Sequence, residues 1–292
     1  MMKKMNLLLA IVVLTLLLFS CSKKNQAGAW LHPTSDDGTR LILKKTDLSA
    51  GVYHTRHFKI FCKYVNGYNL FILQGVDRVQ STAPDGGGYF IGKDSVPTES
   101  PIGYTLKLLG RPLLSPPRTT SYCSGSSYGA FIEGLDLLFK AEKNHPKLDS
   151  LHYEALRMQE VNGGRREDHV KFWGEWNADG FGDHFALVQY SGMGEAIEPI
   201  RARPGDFMNI SWKSGVGHSV VFLGWYIDEQ GTKNVVYWSS QRGTNGYGDA
   251  VVPIDRIKEV MVVRLTHPER LFTFNVQSKK IDTSVKGFQI NW

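Results

Sequence analysis

The stretch that most limits what this chain can fold into runs from Thr119 to Phe139. It opens as Thr119-Thr120-Ser121-Tyr122-Cys123-Ser124-Gly125-Ser126-Ser127, a run of mostly small polar residues around one cysteine. It then passes into an apolar pattern, with Phe131, Leu135 and Leu138 at i, i+4 and i+7 and Ile132 and Phe139 beside them. That spacing is one face of a helix, and a helix this apolar is expected to be central and packed on a sheet. Thr120 or Ser121 is the expected N-cap, which puts Cys123 in the first turn. There the partial positive charge of the helix start favours a thiolate. Ser124, Gly125 and Ser126 are expected to leave room beside the sulfur, and the first backbone N–H groups to face an oxyanion.

A second stretch, Gly215-Val216-Gly217-His218-Ser219-Val220-Val221-Phe222-Leu223, reads as a glycine-framed histidine opening a strand. Strands are expected over Phe207–Trp212, His218–Tyr226, Val235–Gln241 and Ile257–Leu265, with a turn around Glu229-Gln230-Gly231-Thr232. A turn centred near residue 230 sets His218 opposite Gln241 or Arg242. In the first register Val220 faces Ser239 and Phe222 faces Tyr237, a coherent face. The Gln241 amide oxygen would then accept from the ring and set its tautomer. Gln241 is preferred to Ser239, with Asn245 in the following loop as the alternative; a one-residue slip would undo the choice. The central expectation is that Cys123 and His218 meet in space as a thiolate–imidazole pair.

The N-terminus carries the most specific signal. Lys3 and Lys4 precede an apolar run from Leu7 to Phe19, which is too short to span a bilayer comfortably. The run ends Leu18-Phe19-Ser20-Cys21. Residues 21–39 read as a polar tether, and residues 40–97 as a small β-rich domain or extension. In the latter, Phe58–Val65 and Tyr68–Leu73 flank Asn66-Gly67, the signature of a tight hairpin. Ile102–Leu109 reads as a short helix cut by Pro112. Cys62 and Cys123 could pair as a disulfide in an oxidising compartment; against this, Cys62 sits inside a strand-like run and Cys123 at a helix start flanked by small residues. Asp149–Val161 is a further helix and Phe185–Tyr190 a short element. The loop Asn177-Ala178-Asp179-Gly180-Phe181-Gly182-Asp183 resembles a calcium loop only faintly. It lacks the regular acidic spacing and closing glutamate, so no metal is expected. Trp173 and Trp176 are placed as core or rim packing beside it. The formal charge of +6 falls to +4 once Lys3 and Lys4 leave with the leader. With no Lys/Arg run and no basic–aromatic stripe, nucleic acid is set aside.

These motifs resemble known families. Leu18-Phe19-Ser20-Cys21 resembles a bacterial lipobox, which implies cleavage before Cys21, lipid on its thiol and membrane anchoring. Ser22 after the cysteine implies the outer membrane of a Gram-negative envelope. Cys123-Ser124-Gly125, then Arg203-Pro204-Gly205-Asp206-Phe207, then Gly217-His218 with its strand, are similar in content and order to NlpC-type cell-wall cysteine peptidases and the related CHAP amidases. The resemblance covers residues 100–265 in patches. It implies a papain-like α+β domain over 98–292, with a nucleophile helix on an antiparallel barrel-like sheet. It further implies Cys123 as nucleophile, His218 as base, Gln241 as the orienting residue, Ser124 and Tyr104 near substrate, and no cofactor. The expected activity is amide hydrolysis in peptidoglycan stem peptides or crosslinks. The alternatives are a non-catalytic envelope binding protein on the same scaffold, or an acyltransferase or other amide hydrolase using the same pair. Two departures stand out: Tyr122 replaces the Asp that those peptidases carry before the cysteine, and their aromatic-Trp-Gly-Gly stretch is missing.

Overall fold

In the computed structural model, which describes residues 30–96, 98–116, 118–157, 172–173, 182–278 and 287–292, helices come first and most strands last. Helices α1 (His57–Phe61) and α2 (Asn69–Thr82) lead into a small hairpin of β1 (Leu106–Leu108) and β2 (Arg111–Leu114). Helices α3 (Cys123–Ala141) and α4 (Ser150–Leu156) follow. Then come β3 (Gly194–Ile197), β4 (Phe207–Trp212), β5 (Gly217–Ile227), β6 (Lys233–Gln241), β7 (Gly246–Pro253) and β8 (Ile257–Leu265). These six form one antiparallel sheet in the order β3-β8-β4-β5-β6-β7. The class is α+β.

Helix α3 is buried along nearly its whole length, between α2 on one side and β5 and β6 on the other. Two glycines allow α2 and α3 to touch backbone to backbone. A Cβ on Gly75 would sit 2.4 Å from the Ala130 carbonyl, and one on Gly134 3.2 Å from Ile72 Cα. Contacts this close exclude any side chain at the crossing. The sheet buries both faces. Phe207, Val221, Leu223, Val236, Trp238 and Val263 turn toward the helices. Met208, Ile210, Val220, Phe222, Tyr237 and Val262 fill a second core on the other face, to which Ile197 and Val252 from the two outer strands also belong.

The N-terminal region is not β-rich. The two runs expected to pair across Asn66-Gly67 lie in α1, α2 and the turn between them. Gly67 takes a positive φ of 60° there because its backbone lies against His32, Pro33 and Thr34. Each short run is rich in β-branched and aromatic residues, which imitates a strand. The helical period shows only on to Val76 and Val79. Residues 30–39 are not a tether either. Trp30 is buried against Phe58 and Phe71, with ring centroids at 5.4 and 5.8 Å. The Ile102–Leu109 helix is replaced by the β1–β2 hairpin, turned by Leu109 and Gly110, both at positive φ. Two strands, β3 and β7, went unread; β7 starts at Gly246 directly after a left-handed Asn245. The Asp149–Val161 helix is present over Ser150–Leu156, capped by Asp149 accepting from the His152 N–H.

The Pro-Gly-Asp turn has a structural purpose. Asp206 is fully buried and accepts from Arg264 at 2.8 and 2.9 Å, from Asn69 of α2 at 2.7 Å and from the Arg203 N–H at 2.7 Å. Arg264 also reaches Asp36 at 2.7 Å. One carboxylate thus ties the turn, α2 and β8 together. Burial would lower the Arg264 pKa, but Asp206 and Asp36 overrule it and hold the guanidinium charged.

A second polar brace joins α1, α2 and β7. His57, fully buried, reaches Asp77 through Nδ1 at 2.7 Å and Asp249 through Nε2 at 2.8 Å. His54 stacks on it at 4.2 Å and donates from Nε2 to Asp249, while its Nδ1 accepts from the Arg56 N–H. Burial opposes a charge on His57, but Asp249 and Asp77 overrule it and raise its pKa to about 9. The brace is hydrogen-bonded throughout as an imidazolium between two carboxylates.

Candidate functional site

Cys123 is the first residue of α3. Tyr122, extended at φ −129° and ψ 162°, takes the N-cap position without a side-chain bond, so neither Thr120 nor Ser121 is the cap. Cys123 carries a thiol rather than half of a disulfide, which removes the Cys62–Cys123 bridge. Cys62 stands at the end of α1, not inside a strand.

The small residues around Cys123 do not line open space. Each hydroxyl is spent on docking the helix start. Ser121 donates to Ser240 of β6 at 2.7 Å, Ser124 shares a 2.6 Å bond with Ser100, and Ser127 shares a 2.7 Å bond with Ser219 of β5. Ser126 accepts from the Ser240 N–H at 3.0 Å. Gly125 is required by the segment before it: its Cβ would fall 2.4 Å from the carbonyls of both Ser100 and Pro101. Ser124, expected near substrate, is buried, with its hydroxyl on Ser100. Trp173 donates to Ser127 at 3.0 Å and stacks on Phe131, so it belongs to the core.

The β5–β6 pairing explains where His218 points. Near the turn Trp225 faces Val235 and Ile227 faces Lys233. Past a bulge at Leu223, Phe222 faces Tyr237 and Val221 faces Trp238. The bulge shifts register by one residue, as bulges do, and the second register, carried on past the last pair at Val221 and Trp238, brings His218 level with Gln241. The Gln241 side chain is hydrogen-bonded to the His218 imidazole. Asn245 is exposed in its left-handed turn, where its carbonyl accepts from the Gly88 N–H. His218 Nε2 is sealed from solvent and has no hydrogen-bond partner among the described residues, and the same holds for Gln241 Nε2. With the bond to Gln241 on Nδ1, the free lone pair is on Nε2. Burial lowers the His218 pKa to about 4 against the pull of Gln241. The ring therefore stands as neutral imidazole across the physiological range.

Tyr237 is the neighbour that Cys123 and His218 share. Its ring packs edge-on to His218 at 5.6 Å. Burial drives its pKa up; the Arg256 cation pulls it down and a negative charge on Cys123 pushes it up. Tyr237 belongs to the core on the sheet face away from α3, and the start of that helix comes to it at Cys123. His218, Tyr237 and Gln241 line an open cleft of about 490 Å³, together with Tyr122, Trp212 and Arg256. Cys123 itself is 6% exposed.

Tyr104 is elsewhere. Its hydroxyl bonds Glu133 at 3.2 Å and lies against Gly129. These are two to three turns along α3 from Cys123, roughly 9–15 Å at the helical rise. It cannot assist at an oxyanion beside the sulfur. Tyr122, Tyr237 and the serine bonds were not read from the sequence as parts of this site. Tyr237 was visible only as a register partner of Phe222. Cys21 lies outside the described residues, as does the 177–183 loop up to Phe181. Asp183 is fully buried, accepts from Asn209 at 2.5 Å, and has its pKa raised by burial to about 7.

Compared with protein-family models, curated proteins and solved structures, this chain matches none.

Proposed function

We propose that the chain is a cysteine hydrolase of the bacterial cell envelope, on a papain-like core whose sheet curls barrel-like around its second face. In this reading it cleaves amide bonds in peptidoglycan stem peptides or crosslinks and is anchored by lipid on Cys21. The observation that carries the reading is the state of His218. Gln241 holds one ring nitrogen, burial keeps the ring neutral, and the sealed Nε2 is left to accept a proton beside Tyr237 and the Cys123 turn. This is the arrangement of a general base with an orienting partner that adds no charge.

The steps follow from that geometry. Cys123 Sγ attacks the scissile carbonyl as its proton passes to His218 Nε2. The first backbone N–H groups of α3 lack intrahelical acceptors and are offered to the oxyanion. His218 then returns the proton to the leaving amine, leaving a thioester. Water, deprotonated by the same nitrogen, hydrolyses the thioester and restores the thiol.

The test is alkylation of Cys123 by iodoacetamide against pH in the purified soluble domain, on a Cys62→Ser background, followed by a panel of cell-wall peptides. Labelling near neutral pH that is faster than that of a simple thiol and is slowed in His218→Ala is expected, because the neutral ring takes the thiol proton as the sulfur reacts. Labelling no faster than a simple thiol, and indifferent to His218, would sink the pair.

A further inference from the structure

The cleft beside His218 is electrically one-sided. Arg242 and Arg256 line it, and no carboxylate among the described residues does. Lys93, also on its wall, is paired with Asp94. Neither arginine has an ion-pair partner among the described residues. Arg256 lies over the Trp212 ring at 6.0 Å, and Trp212 packs 6.4 Å from the His218 ring. Its charge is felt at the Tyr237 hydroxyl, the same atom that a Cys123 thiolate would act on. Arg242 directly follows Gln241 in the chain, so it opens onto the cleft next to the residue that orients His218.

Two unneutralised guanidinium groups on one cleft wall set a positive potential over the reacting groups. Their forked donors fit a planar carboxylate. At the helix start Tyr122, stacked on Tyr89 at 5.7 Å, lines the cleft and brings no carboxylate to it. The cleft therefore offers no carboxylate to an ammonium group and two guanidinium partners to an anion.

We infer that Arg242 and Arg256 form a carboxylate subsite, so that this cleft selects a peptide bearing a free carboxylate beside the scissile amide rather than one presenting a free amine. The inference rests on the hydrolase reading for the word substrate, but the subsite can be tested without turnover.

The full mature chain, with its histidines isotope-labelled, is titrated with N-acetylglutamate and, separately, with N-acetylglutamine, following the His218 ring resonances by NMR. The acid is expected to bind ~10-fold more tightly than the amide at low salt. The preference should shrink at high salt and vanish in Arg242→Gln/Arg256→Gln. Arg256→Lys should keep part of it. Equal affinity for the two probes, binding of neither included, overturns the subsite, as does a preference unchanged in the double variant. Acid preference without hydrolysis of any peptide would remove the hydrolase and leave the subsite. Hydrolysis without acid preference would do the reverse.

Discussion

The His57 brace makes the stability of this protein depend on pH in a window where little else titrates. In the unfolded chain His57 has the ordinary value of 6.5; in the fold Asp249 and Asp77, against the cost of burial, raise it to about 9. A raised histidine pKa means the folded state holds the proton more tightly. The added stability is complete below the unfolded value and is lost as pH rises through the folded one. The shift corresponds to about 3 kcal/mol in total, of which about 2 kcal/mol disappears between about pH 7.5 and about pH 9.5. The raised pKa values of Tyr190, Tyr237 and Tyr247 act mainly above this window, and the other large histidine and aspartate shifts act below it. His218 and His184, both depressed to about 4, and Asp183, raised to about 7, have nearly finished titrating by then. Urea unfolding of a Cys123→Ser background across that range should show the midpoint falling at constant slope. His57→Gln should be less stable near neutral pH and much flatter in its pH dependence. A flat curve in the parent, or the same fall in both proteins, would refute a buried imidazolium held by two carboxylates.

Three other outcomes follow from single residues. Gly125→Ala drives a methyl into the Ser100 and Pro101 carbonyls; it should cost about 1–3 kcal/mol by thermal melt and slow Cys123 alkylation by tilting the helix start. Arg264→Met leaves Asp206 buried without its cation, while Asp36 keeps Arg201; a loss of about 3–5 kcal/mol is expected, most of it recovered when Asp206→Asn is added, as urea midpoints would show. In a peptide-cleavage assay, Cys123→Ala should abolish turnover with an unchanged circular dichroism spectrum. His218→Ala should lose about 10²–10⁴-fold, and Gln241→Ala should be milder than His218→Ala. Equal rates in all three would end the proposed roles.

Much of the sheet was legible in the sequence. The strand over Phe207–Trp212, the histidine strand, its partner ending at Gln241 and the strand over Ile257–Leu265 are short apolar runs bounded by turn residues, and the structure has them within a residue or two. These are local signals, written in neighbours along the chain. The His218–Gln241 pairing was legible too, because a hairpin's register follows from where it turns. Even so, the bulge at Leu223 is what selects between the two registers. The bulge comes from Gly224, whose backbone lies under Leu43, a residue far away in the sequence.

What the sequence could not tell was decided by contacts between distant segments. The runs around Asn66-Gly67 have the composition of strands but become helices, because α2 must lie flush on α3 through Gly75 and Gly134. Tertiary burial outweighs propensities of a few tenths of a kcal/mol per residue. The serines beside Cys123 suggest open space, yet their hydroxyls are taken by β5, β6 and Ser100. Tyr104 has suitable chemistry but stands turns away on Glu133. Local patterns alone set a cysteine at the start of a central apolar helix and a histidine at the start of a strand whose partner ends in a glutamine. That the helix start meets the histidine's partner strand at Tyr237 follows from packing alone, because only packing brings together residues more than a hundred positions apart.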